Sequence, residues 1–180
     1  MSRYLVGIKV PSPFQERICA LQDEVSAITG LPPPHKKIGP HFTLHRPVTT
    51  IKEDVLARLI WSAVLQMRQT RLTLFAWDHF GPKFMVLPAQ VPLEASGLFV
   101  GISKLLSCLP EYEHNVYDRD NVLHLTIAND TTHVFERAWP KVSGIPIEKM
   151  DIPVTEVALL RKEDKKGTRW EEITTFPIPA

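Results

Sequence analysis

One short pattern occurs twice in this chain and limits how the chain can fold. Pro40-His41-Phe42-Thr43-Leu44 and Leu123-His124-Leu125-Thr126-Ile127 both read His-apolar-Thr-apolar. The two histidines stand 83 residues apart, at positions 41 and 124 of 180, so each half of the chain carries one copy. Polar and apolar residues alternate with period two, the pattern of a half-buried strand. Residues i and i+2 of a strand share a face. His41 and Thr43 therefore point one way, and Phe42 and Leu44 the other. The same holds for His124 and Thr126 against Leu125 and Ile127. If the two strands face a common cleft, two imidazoles and two hydroxyls converge in it.

The flanking sequence supplies elements to build such a cleft. Arg3–Val10 is rich in strand formers. Ser12-Pro13-Phe14-Gln15 reads as a helix start, and Phe14, Ile18, Leu21, Val25 and Ile28 form one apolar helix face. Gly30 ends that helix, and Pro32-Pro33-Pro34 prevents a restart. The first motif strand spans His41–Pro47. Thr50-Ile51-Lys52-Glu53 fits a capping box for a second helix reaching Gln69, with Val55, Leu56, Leu59, Ala63 and Met67 inward. Arg71–Trp77 and Lys83–Leu87 read as a hairpin turning at Gly81-Pro82. Pro92–Leu106 reads as a helix, and Leu109–Asn121 as an irregular polar stretch. The second motif strand spans Val122–Ala128. Asn129-Asp130-Thr131-Thr132 fits the cap of a short helix up to Trp139, closed by Pro140. Ile145–Ile152 and Val154–Arg161 are extended, Glu163–Gly167 is a turn, and Arg169–Pro177 returns antiparallel. The expectation is an α+β fold. It is bilobal and duplicated, with two antiparallel sheets flanked by helices around a central cleft and pseudo-two-fold symmetry.

Composition narrows the function. A net charge of +1 argues against non-specific grip on long nucleic acid, but not against a small phosphorylated ligand or an RNA end. Cys19 and Cys108 are too few for a disulfide framework or a cysteine zinc site, and read as buried free thiols. No apolar run approaches the roughly 20 residues that span a membrane, and the N-terminal run is too short for a signal peptide. A cytoplasmic monomer with no membrane or protein partner is expected. The sequence holds no HExxH, no Walker loop and no dinucleotide fingerprint, and no metal or cofactor is expected.

Two histidines titrating near pH 6.5 can hold one proton between them. One neutral imidazole takes a proton from a nucleophile while the other, protonated, gives one to the leaving group. Thr43 and Thr126 can donate hydrogen bonds to non-bridging phosphate oxygens. The set suits metal-free phosphodiester hydrolysis or transfer.

The paired His-x-Thr-x motifs at this separation, with duplicated lobes, resemble the 2H phosphoesterase superfamily. Within it the chain looks most like the bacterial 2'-5' RNA ligase-like branch, whose members act as RNA 2',3'-cyclic phosphodiesterases. The resemblance covers nearly all of residues 1–180 as one domain of intertwined lobes, with motifs at 41–44 and 124–127. It implies that His41 and His124 form the acid–base pair and that Thr43 and Thr126 bind phosphate. It also implies hydrolysis of a cyclic phosphate on an RNA end or small nucleotide, with ligation as the reverse reaction. Many members carry a basic residue shortly after the second motif, where Ala128-Asn129-Asp130 stands here.

Other residues have weaker claims. The basic loop His35-Lys36-Lys37-Ile38-Gly39-Pro40 is either solvated charge or a phosphate-attracting lip. His45, four residues beyond His41 on the strand, falls on the cleft face and is a candidate ligand contact. Arg46 alternates to the other face and reads as structural. Phe75, Trp77, Phe84 and Trp170 read as core rather than stacking platforms. The alternative function is a non-catalytic module that holds RNA ends or phosphorylated nucleotides in the same cleft.

Overall fold

The computed structural model describes residues 2–46, 48–49, 52–93, 95–96, 99, 122–163 and 169–180. It is a mixed α+β fold with antiparallel sheets. Ten strands are seen among the described residues: β1 (Ser2–Lys9), β2 (His41–His45), β3 (Val48–Thr49), β4 (Thr70–Leu74), β5 (Asp78–Phe80), β6 (Phe84–Pro88), β7 (His124–Asn129), β8 (Met150–Val154), β9 (Glu156–Lys162) and β10 (Glu171–Pro177). The α-helices that pack on them are α1 (Ser12–Thr29), α2 (Glu53–Val64) and α3 (Phe135–Val142). No described helix is long and apolar enough to cross a membrane.

The larger sheet runs β10-β9-β1-β2, with β3 also on β1. The others are a three-stranded sheet β5-β6-β7 and a pair β4-β8, and an antiparallel bridge joins Thr73 to Gln90. The halves of the chain are interleaved. The closing pair β9–β10 joins β1 in the N-terminal sheet. Helix α1, from the first half, packs on β7 of the second. On the larger sheet Ile8, Val6, Phe42, Val157 and Leu159 are buried. Helix α2 packs against β10 there, with Trp61 over Phe176 at 6.1 Å.

Several boundaries differ from the sequence reading, each for a local reason. Helix α1 is capped at Pro11, whose carbonyl accepts from the Phe14 and Gln15 amides, so Ser12 is already helical. Its C-cap is Gly30 as expected, at φ 75 with its N–H on the Ser26 carbonyl. Helix α2 starts at Glu53 with Lys52 as cap and no side-chain cap bond. Glu53 and Asp54 in its first turn complement the helix dipole instead. It ends at Val64, and its buried face is Leu56, Ile60, Ala63 and Val64, while Val55 is exposed.

The expected long hairpin is shorter. β4 pairs with the distant β8, in a register that sets Arg71 opposite Pro153, and only β5 and β6 form the hairpin around Gly81. Phe75-Ala76-Trp77 breaks the strand, with Trp77 Nε1 donating to the Ile145 carbonyl. Asn129 belongs to β7, and Asp130 turns the chain at φ 57. Thr131 is fully buried and donates to the Pro82 carbonyl, so it anchors this corner rather than capping a helix. Pro140 lies inside α3, which its buried Phe135, Ala138 and Val142 carry on to Val142. The expected helix beyond residue 99, the stretch 109–121, the turn at 164–168, Thr50, Ile51, Cys108 and His114 lie outside the described residues.

Candidate functional site

The two motif strands repeat each other in four respects. Each shows the same run of burial over His-x-Thr-x: half-buried, buried, half-buried, buried. Phe42 and Leu125 are the buried anchors, at 0% and 1% exposure. Burying a side chain of that size stabilises by about 1.5–3 kcal/mol, which fixes which way the histidines face. Each histidine also bonds the carbonyl two residues before it: His41 Nδ1 to Gly39 O at 2.7 Å and His124 Nδ1 to Val122 O at 2.9 Å. A carbonyl only accepts, so Nδ1 carries the proton and Nε2 is the basic nitrogen of the neutral ring.

The fourth likeness is a β-bulge at the same motif position. On β1, adjacent Val6 and Gly7 face His45 and Thr43, so Leu44 is the extra residue. On β6, adjacent Met85 and Val86 face Ala128 and Thr126, so Ile127 is the extra residue. A bulge shifts the alternation by one. Leu44 and His45 are both buried, as are Ile127 and Ala128.

Strands β2 and β7 lie close together. His41 feels the charge of His124, so the rings are near one another. His41 keeps some solvent contact, yet protein surrounds its ring. Burial pushes the imidazole down from its ordinary 6.5 to about 4. The Gly39 carbonyl acts the other way, and the charges of Arg46 and His124 lower it further. His41 is therefore neutral at pH 7.

The surroundings of the two rings differ. His41 lies beside Gly7, where a Cβ would stand 3.0 Å from the Phe42 carbonyl oxygen and from Leu5 Cδ2, and 3.3 Å from His41 Cδ2. Lys9 pairs with His41 across the sheet and is held by Glu156 at 3.3 Å and Glu172 at 3.1 Å. His124 instead packs edge-to-face with Phe80, with ring centroids 4.6 Å apart at 86°.

The structure thus places His41, Thr43, His124 and Thr126 on neighbouring strands. His45 is 5% exposed and sits beyond the bulge, on the side of Val6, so alternation does not bring it to the His41 face. Gln22 was invisible to the sequence reading because it lies between the stripe residues of α1. It is 2% exposed, donates to the Thr126 carbonyl at 2.8 Å and accepts from the His35 amide at 3.2 Å. One helix residue thus ties the His35 turn to the second motif strand. His35 is half-buried, with its ring also near Gln22 and Asp23. Phe84 is half-buried and shares a face with Asn129, Phe75 is exposed, Trp77 is half-buried, and the Trp170 amide donates to the Lys37 carbonyl. Cys19 is half-buried, and burial pushes its thiol up. Among the described residues no three His, Cys, Asp or Glu side chains gather as a metal site.

Fold and paired motifs define a phosphoesterase of the 2H class. The chain belongs to the 2'-5' RNA ligase superfamily, whose family model matches residues 10–166. Solved structures share the fold. Escherichia coli LigT complexed with 3'-AMP aligns with TM-score 0.62 and 15% identity, covering 99% of each chain. LigT complexed with phosphate gives 0.61 and 15%, over 99% of this chain and 98% of that one. TT0787 of Thermus thermophilus gives 0.57 and 19%, over 98% and 97%. No curated protein matches the sequence.

Proposed function

We propose that this protein hydrolyses 2',3'-cyclic phosphate ends of RNA, or a related cyclic nucleotide, without a metal ion. The observation that supports this reading is the duplicated histidine geometry: two strands each hold Nδ1 on a backbone carbonyl, which makes Nε2 the proton-accepting nitrogen of each neutral ring. In hydrolysis, water attacks phosphorus and loses a proton to one Nε2. The bond from phosphorus to one ribose oxygen breaks, and the second Nε2 delivers a proton to that oxygen. The product is a phosphate monoester beside a free hydroxyl. Ligation uses the same groups with an RNA 5'-hydroxyl in place of water: that oxygen loses its proton to one Nε2 and bonds phosphorus, the bond from phosphorus to one ribose oxygen breaks, and the second Nε2 protonates the ribose oxygen. Each proton transfer is worth about 10²–10⁴ in rate. Thr43 and Thr126, one beside each histidine, donate to non-bridging oxygens as charge builds on them.

LigT is solved with phosphate and with 3'-AMP, the second a ribose with a terminal phosphate, which supports a phosphorylated ribose end as the ligand here. The test is turnover of a short RNA ending in a 2',3'-cyclic phosphate, in EDTA. Conversion to a monoester supports the proposal. Tight binding of the same RNA with no conversion points to the binding module instead, and strict need for an added divalent ion sinks the metal-free mechanism.

A further inference from the structure

The bulge at the fourth position of each motif does more than bury the residue that follows it. The pairs Val6↔His45 and Arg3↔Val48 keep one register, which puts Arg46 opposite Leu5. Leu5 shares its face of β1 with Gly7 and Lys9, whose partners are Thr43 and His41. Leu5 Cδ2 and His41 Cδ2 both border the space over Gly7, in keeping with that shared face. The extra residue at Leu44 has therefore turned Arg46 onto the face of His41 and Thr43, where plain alternation would have turned it away. Arg46 is half-buried there. On the second strand the same slip brings Asn129, also half-buried, to the matching place opposite Phe84.

We propose that Arg46 contacts the non-bridging oxygens of the substrate phosphate between the motif strands, with Asn129 as the neutral group at the matching place. The inference rests on the cyclic phosphodiesterase reading. Lys9, the cation paired with His41, is already held by two carboxylates. A cyclic phosphodiester carries one negative charge, and attack by water adds a second to the phosphorane. A planar guanidinium meets two such oxygens at once. Its attraction grows as the charge grows, so it acts on turnover more than on ground-state binding.

The experiment compares wild type, Arg46→Gln and Arg46→Lys on RNA with a 2',3'-cyclic phosphate end, with melting temperature, inorganic phosphate binding and NMR titration of His41 as companions. Arg46→Gln is expected to lose about 10–10³-fold in kcat/KM, mostly in kcat, and Arg46→Lys less. The His41 titration moves to higher pH in Arg46→Gln, because a cation that opposes its protonation is gone. Turnover by Arg46→Gln within twofold of wild type overturns the inference. Should Arg46→Gln fail to fold, Arg46→Lys decides: a several-fold loss at unchanged melting temperature supports the fork contact, and full activity overturns it. If wild type itself shows no turnover, the proposed reaction fails, and phosphate binding then judges Arg46 alone. Weaker binding by Arg46→Gln supports the contact, and equal binding overturns it.

Discussion

The first and second motif strands have the same frame and different walls. Both set a histidine on a carbonyl two residues back, bury the apolar position between His and Thr, and bulge at the fourth position. Around that frame little is shared. His41 rests over the bare backbone of Gly7, in a polar neighbourhood of Lys9, Glu156, Glu172 and Arg46. His124 rests against Phe80, with Phe84 further along the same sheet. What repeats is what proton transfer needs: a fixed tautomer and a fixed direction. On the proposed reading, what differs would set how a substrate lies across the pair, with charge gathered beside His41 and an aromatic ring beside His124.

The comparison can be broken most directly at the histidines. His41→Ala and His124→Ala should each lower turnover by at least ~10², with the fold retained. Near-full activity in one variant and not the other would show that the two frames are not used alike.

Acid should separate the two sides next. The folded protein holds His41 down at about 4 against an ordinary 6.5, so the unfolded chain binds more protons between those values. The contribution is fully present above pH 6.5, is lost as pH falls from 6.5 to 4, and is flat below that. A shift of that size corresponds to at most about 3 kcal/mol. Denaturant melts across this window should show the loss in wild type and a flatter profile in His41→Asn. The same slope in both would remove His41 from the acid response.

Gly7→Ala sharpens the account of the first wall. The new Cβ would press on the Phe42 carbonyl oxygen, which cannot swing away as a side chain would. The expected cost is about 1–3 kcal/mol in stability, with a larger proportional loss of activity as the His41 ring is pushed. Unchanged melting and activity would show that the ring does not need the bare backbone.

Gln22→Ala should match Gly7→Ala in stability but affect activity least, because it strips the Thr126 carbonyl and the His35 amide of their shared partner without pressing on either histidine ring. About 1–3 kcal/mol of stability should go, read from denaturant melts. A neutral substitution would mean that the second strand is positioned by β6 alone.

Much of this was legible from residues alone. Period-two alternation located both motif strands, and helical periodicity with Gly30 located α1. The antiparallel return of β10 onto β9 was also legible. The partner of β4 was not, because β8 lies far along the chain and nothing local in Thr70–Leu74 names it. Nor were the bulges. Leu44 and Ile127 are ordinary apolar residues, and an extra residue in a strand leaves no mark in composition. That one unseen slip exchanged His45 and Arg46 between faces. Gln22 escaped for a similar reason: its burial comes from what packs on α1, and its own type argues for the surface.

The central claim is that two histidines, one from each strand, act as a single proton-transferring unit. A double-mutant cycle tests it most directly: His41→Ala, His124→Ala and the double variant, on RNA with a 2',3'-cyclic phosphate end in EDTA. Groups that act as one unit are non-additive. The account predicts that each single variant loses at least ~10² in turnover and that the double variant is scarcely worse than either. Losses that multiply in the double variant would contradict it, because the two rings would then be working separately.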